Sequence, residues 1–112
     1  MPKSKVPSAK ATLLKSLKET EEGQRKIKTI KNSIESKNAE VFEDIFSTIA
    51  RSVIRTLLGR EFYAFEKQVN EPGRFSLNDI DFMADLFEVD KDTFLKFVRT
   101  AQKIKASQKK KK

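Results

Sequence analysis

Between Val41 and Leu58, ten apolar residues fall in pairs four positions apart: Val41 and Phe42, Ile45 and Phe46, Ile49 and Ala50, Val53 and Ile54, Leu57 and Leu58. Residues four apart lie one above another on an α-helix, so this spacing lays two adjacent apolar rows along one face. The alternation that a half-buried strand needs is absent. The spacing predicts one core helix over 41–58. Asn38 stands where an N-cap would sit, Glu40, Glu43 and Asp44 occupy early turns where the helix dipole favours anions, and Gly59 is the stop. Arg51 and Arg55 fall on the polar side. All nine Phe residues lie between Phe42 and Phe97, which places the packed domain over about 38–106.

The rest of the chain reads as helices and turns. Phe62, Tyr63, Phe65 and Val69 predict a shorter helix after a bend at Gly59, and Glu71-Pro72-Gly73 is a turn by composition. Ser76 and Asp79 have the spacing of a capping box with Asp replacing Glu, opening a helix that carries Ile80, Met83, Ala84 and Phe87. After Glu88 and Val89, Asp90 caps a last helix whose inner face is Phe94, Phe97, Val98, Ala101 and Ile104. Upstream, residues 1–7 read as a flexible basic arm. Leu13, Leu14 and Leu17 and then, after an interruption at Gly23, Ile27, Ile30 and Ile34 form a weakly apolar stretch with a lysine-rich polar face. Three readings fit it: one interrupted helix, a helix pair, or a segment that orders on binding. The expected fold is an all-α bundle of about four to five helices, with a basic arm and helical extension over 1–37, the core over 38–106 and a disordered lysine tail over 107–112.

Charge and missing residue types narrow the function classes. The net charge is +8, but it is unevenly placed. Residues 1–35 carry nine Lys/Arg against four Asp/Glu, and residues 36–74 carry six of each. Residues 75–92 set Lys91 against six acids, and residues 93–112 hold eight cations and no acid. Two basic ends attract polyanions. With no Cys and no His, the chain has no disulfide, thiolate metal site or imidazole acid/base. Glu40 and Glu43, like Asp81 and Asp85, are one turn apart, but no convincing second pair faces the first. Nor is there a Gly-rich phosphate loop or a calcium-loop spacing. A non-enzymatic protein without cofactor or metal is expected. No apolar run is long enough for a bilayer, and none follows the basic N-terminus as a secretory signal requires, so the expected setting is the cytosol, or the nucleus of a eukaryote.

Residues 80–97 place a short helix, a tight turn and a second capped helix within about twenty positions. This segment resembles the helix-turn-helix family of DNA-binding proteins. Met83 and Ala84 set a large apolar residue beside a small one in the first helix, Phe87 and Val89 bracket the turn, and Phe94 and Phe97 hold the apolar positions of the second helix. Glu88 stands where the family carries Gly. The resemblance implies that the last helix faces nucleic acid, DNA before RNA, with Lys91, Thr93, Lys96, Arg99, Thr100 and Lys103 on its solvent side. Lys105, Lys109 and Lys110 extend the cationic run as phosphate contacts. It also implies a two-fold dimer, joined through the 41–58 helix or the N-terminal helix. The aromatics sit at helical core spacing, which argues against a stacking platform for single strands. Two other readings stand beside this one: the hairpin closes a bundle that serves as a helical protein-interaction module or subunit, or residues 10–31 lie on an anionic membrane. The latter stretch lacks the Trp or Phe usual for interfacial helices.

Overall fold

Thr20 ends one helix and begins the next. The computed structural model describes residues 9–110; the expected arm over 1–7 and Lys111 and Lys112 lie outside the described residues. Helices α1 (Ala9–Glu19) and α2 (Glu21–Glu35) form a pair about Thr20, whose extended backbone makes it the N-cap of α2. Its Oγ1 accepts from the Gly23 N–H at 2.9 Å and donates to the Ser16 carbonyl at 2.5 Å, tying both helix ends to one side chain. Gly23 lies inside α2, so it is not the interruption that its identity suggested. Its missing side chain lets the last turn of α1 press against α2, because a Cβ there would stand 2.3 Å from the Ser16 carbonyl oxygen. Leu17, Ile27, Ile30 and Ile34 are buried in the same core as the phenylalanines. Helix α1 also packs against residues 51–58, and the Lys10 ammonium lies over the Phe82 ring at 5.2 Å.

The single helix expected over 41–58 is two: α3 (Phe42–Phe46) and α4 (Arg51–Leu58). Ser47 and Thr48 are helix-weak residues whose hydroxyls compete for backbone groups, and the Ser47 Oγ donates to the Asp44 carbonyl at 3.1 Å. Ala50 is then extended (φ −54°, ψ 143°) and starts α4 without a side-chain cap. The break folds the apolar rows inward, and Phe42, Ile45, Ile49, Ile54 and Leu57 are at most 2% exposed. Asn38 is exposed in the preceding loop and does not cap. The Asp44 carboxylate takes that role, accepting from the N–H groups of Glu40 (2.8 Å) and Val41 (3.2 Å). Gly59 does end α4, in the left-handed conformation (φ 69°) that a glycine adopts without penalty.

Helix α5 (Phe62–Asn70), capped by Glu61, leads through a 3-10 turn (Pro72–Arg74) to α6 (Leu77–Phe87) and α7 (Lys91–Lys110). The box at the start of α6 forms as its spacing predicts, with Ser76 and Asp79 exchanging backbone-to-side-chain bonds of 3.0 and 3.1 Å. Asp79 also receives both of its oxygens' contacts from the Arg60 Nη2 at 2.6 Å, which locks the α4–α5 connection to the head of α6. Phe42 sits at the centre of the core, its ring 4.8 Å from Phe75 and 5.1 Å from Phe97. The fold is all-α: seven α-helices and no strand among the described residues. The count exceeds four to five because the stretches over 8–35 and 41–58 each divide in two. Helix α7 continues to Lys110, four residues past the expected end of the core.

Candidate nucleic-acid interface

The α6–α7 pair is a tight hairpin. Glu88 turns the chain in the left-handed conformation (φ 59°, ψ 39°), at the position where the helix-turn-helix family carries Gly. The Val89 N–H then donates back to the Ala84 carbonyl at 2.9 Å. Met83, Ala84, Phe87, Val89, Phe94 and Phe97 are all buried between the two helices and the core. Helix α2 packs across both α6 and α7, and the 72–74 turn packs on α7 as well, which leaves open to solvent the face of α7 turned away from the core.

On that open face Lys96, Arg99 and Lys103 follow one another at three- and four-residue spacing. All three are exposed, and among the described residues none enters an ion pair. They form a cationic ridge about 10 Å long on a rigid helix. The other expected residues are placed differently. Thr93 is half-buried and Thr100 exposed, and with Lys96 they flank a depression of about 280 Å³ whose opposite wall is Ile34, Glu35, Lys37, Ala39 and Glu40. The Lys91 ammonium is 3.4 Å from the Asp85 carboxylate. Lys105 points inward: its side chain is 16% exposed and its ammonium holds the Glu43 carboxylate at 2.7 Å. Its position was readable, since residue 105 is four past the inner-face Ala101. Lys109 and Lys110 belong to the helical backbone of α7.

The six acids over 79–92 do not share the middle of this face. Asp79 is buried with Arg60, Asp85 pairs with Lys91, and Asp90 caps α7 by accepting from the N–H groups of Asp92 (3.1 Å) and Thr93 (3.3 Å). Asp92 is exposed one turn before Lys96, at the N-terminal end of the ridge. Helix α7 therefore has an anionic tip and a cationic shaft. Of the carboxylates paired by spacing, Glu43 meets Lys105 and Asp85 meets Lys91. Among the described residues no cluster is placed to hold a metal ion, and no helix is long and apolar enough to cross a membrane.

One expectation is overturned. The aromatics were read as core throughout, but Phe62 is 50% and Tyr63 77% exposed. The rings meet edge to face, with centroids 5.2 Å apart and planes at 83°. Phe65 and Val69, four apart, define the buried side of α5, and Tyr63 lies about 140° around the helix from their mean direction. That spacing was the signal that could have found it. The remaining cations of α5 and α2, Lys67, Arg25 and Lys28, are exposed as well. No protein-family model, curated protein or solved structure matches this chain.

Proposed function

We propose that this protein binds double-stranded DNA through the solvent face of α7, as a phosphate-contacting, architectural binder. The observation that carries the reading is the ridge of Lys96, Arg99 and Lys103, three exposed cations that enter no ion pair among the described residues, on one side of a rigid helix. DNA is favoured over duplex RNA because the B-form major groove admits an α-helix and the deep, narrow A-form groove does not. Helix-turn-helix readers touch base edges with the N-terminal residues of the recognition helix. Here that end holds Asp90, Asp92 and a Lys91 engaged by Asp85, a charge pattern suited to keeping the tip off the phosphates while the shaft meets them.

The test is a salt series with a labelled duplex of mixed sequence. Three neutralised phosphates contribute a slope of about −2.7 in log K against log salt, or about 40-fold between 50 and 200 mM. Replacing Lys96, Arg99 and Lys103 together by Ala should remove that share and weaken unrelated duplex sequences alike. Absence of duplex binding at low salt, or an unchanged slope in the triple variant, would refute the reading and favour a helical protein-interaction module.

A further inference from the structure

We infer a second nucleic-acid site, for unpaired bases, in the groove between α5 and α7, with Tyr63 as its stacking residue. It rests on the reading above only for the class of ligand, and it shares no side chain with the ridge. Tyr63, Lys67 and Asn70 follow at four- and three-residue spacing, so they line one exposed strip of α5. Lys67 and Asn70 form one wall of a depression of about 460 Å³ whose other wall is Lys105 and Gln108 of α7. An adjoining depression, also about 460 Å³, continues it past Arg74 and Gln102. The two share Asn70, Glu71 and Lys105 and so make one groove, and Tyr63 stands one turn before Lys67 on the strip of α5 that forms its wall.

Its chemistry suits a single strand. Bases offer a flat apolar face, hydrogen-bonding edges and a phosphate at each step. The groove offers a matching set. Edge-to-face contact with Phe62 props up the Tyr63 ring while leaving most of it in solvent. Cations flank the aromatic pair: the Arg55 guanidinium lies 6.0 Å from the Phe62 centroid on one side, and Lys67 follows one turn on along α5. Asn70, Gln102 and Gln108 bring side-chain amides, able both to donate and to accept at base edges. Gln102 has committed its Oε1 to the Gly73 N–H at 2.8 Å, which leaves its amino group to donate. The acids of the groove are neutralised in place, Glu66 by Arg51 and Glu71 by Arg74. A duplex hides its base faces, so the stacking residue selects unpaired ones, and aromatic stacking tolerates any sequence.

Tyr63 is the only tyrosine and the chain has no tryptophan, so intrinsic fluorescence reports on this one ring. Oligothymidylate of about ten nucleotides should quench it saturably, in step with its binding measured by anisotropy. Tyr63→Ala should weaken oligothymidylate binding about tenfold while leaving duplex affinity unchanged. Tyr63→Phe should bind nearly as the parent does, because the ring face and not the hydroxyl makes the contact. The exposure of Tyr63 makes both variants compatible with folding, which a thermal melt verifies. The inference is overturned if oligothymidylate binds without quenching, if Tyr63→Ala binds it unchanged, or if a polyglutamate peptide quenches equally, which would mark a protein-docking face. Duplex binding that persists through such a result leaves the ridge standing. Quenching that persists where duplex binding fails removes the ridge alone.

Discussion

Gly23→Ala should destabilise the protein, against the ordinary rule for helices. Alanine is favoured over glycine inside a helix by about 1 kcal/mol, and Gly23 is the third residue of α2. A Cβ built there would stand 2.3 Å from the Ser16 carbonyl oxygen and 2.5 Å from both the Cα and the carbonyl oxygen of Leu17. All three are backbone atoms, so no rotamer change relieves the overlap and the last turn of α1 must move away. Such overpacking costs about 1–3 kcal/mol. Retreat of α1 also draws Leu17, 6% exposed, partly out of the core, forfeiting part of the roughly 1.5–3 kcal/mol that burial of a leucine contributes. After the propensity gain is subtracted, the net loss is about 2 kcal/mol, which for a chain of this size lowers the melting temperature by roughly 8 °C. Circular dichroism melts and urea titration measure it directly. A variant as stable as the parent, or more stable, would show that the close approach of α1 and α2 is not a feature of the folded protein.

Four further substitutions probe other parts of the structure. Gly59→Ala has open space around it but a φ of 69°, so it should lose about 1 kcal/mol in urea titration from backbone strain alone. Asp79→Ala removes both the Ser76 cap exchange and the Arg60 ion pair, and a loss of about 2–4 kcal/mol is expected; a loss below about 1 kcal/mol would mean that the pair is not formed. Glu88→Gly relieves the left-handed turn and should raise stability by about 0.5 kcal/mol once the added freedom of the unfolded chain is counted, with no gain if the turn is not left-handed. Lys105→Met should cost about 1 kcal/mol by stranding the half-buried Glu43 carboxylate while leaving duplex affinity unchanged; weakened DNA binding would place Lys105 on the interface after all.

What could be read from the sequence follows the range over which each signal acts. The Ser76 and Asp79 box, the Asp90 cap, the stop at Gly59 and the inner face of α7 all depend on residues within a turn or two of one another, and each forms as its spacing predicts. The break over 47–50 does not show in the pattern, because the apolar rows run straight through it. What it serves is burial, since the turn brings residues from both apolar rows into one core, a property of the assembled chain. Gly23 misleads for the same reason: a glycine that accommodates a neighbouring helix and one that ends its own are alike until the neighbour is known. For the site, the open face of α7 and its three cations follow from helical periodicity. The inward turn of Lys105 and the exposure of Tyr63 were available from the same periodicity, had the buried faces of α7 and α5 been followed to their ends.

The acids over 79–92, which lower the net charge where a DNA-binding hairpin would want it raised, are better understood by position than by number. Three of the six have structural partners: Arg60 for Asp79, Lys91 for Asp85 and the α7 N-terminus for Asp90. The three that remain, Asp81, Glu88 and Asp92, are exposed, and of these only Asp92 belongs to α7, on the side that carries Lys96. A carboxylate near a helix N-terminus is stabilised by the dipole, so Asp92 favours the helix it begins. It also bars that end from a phosphate backbone. On the proposed reading, a polyanion approaching α7 meets repulsion at the tip and three cations along the shaft, which favours a side-on contact. The acidic segment thus gives the basic helix a direction, which a chain of uniform positive charge would lack.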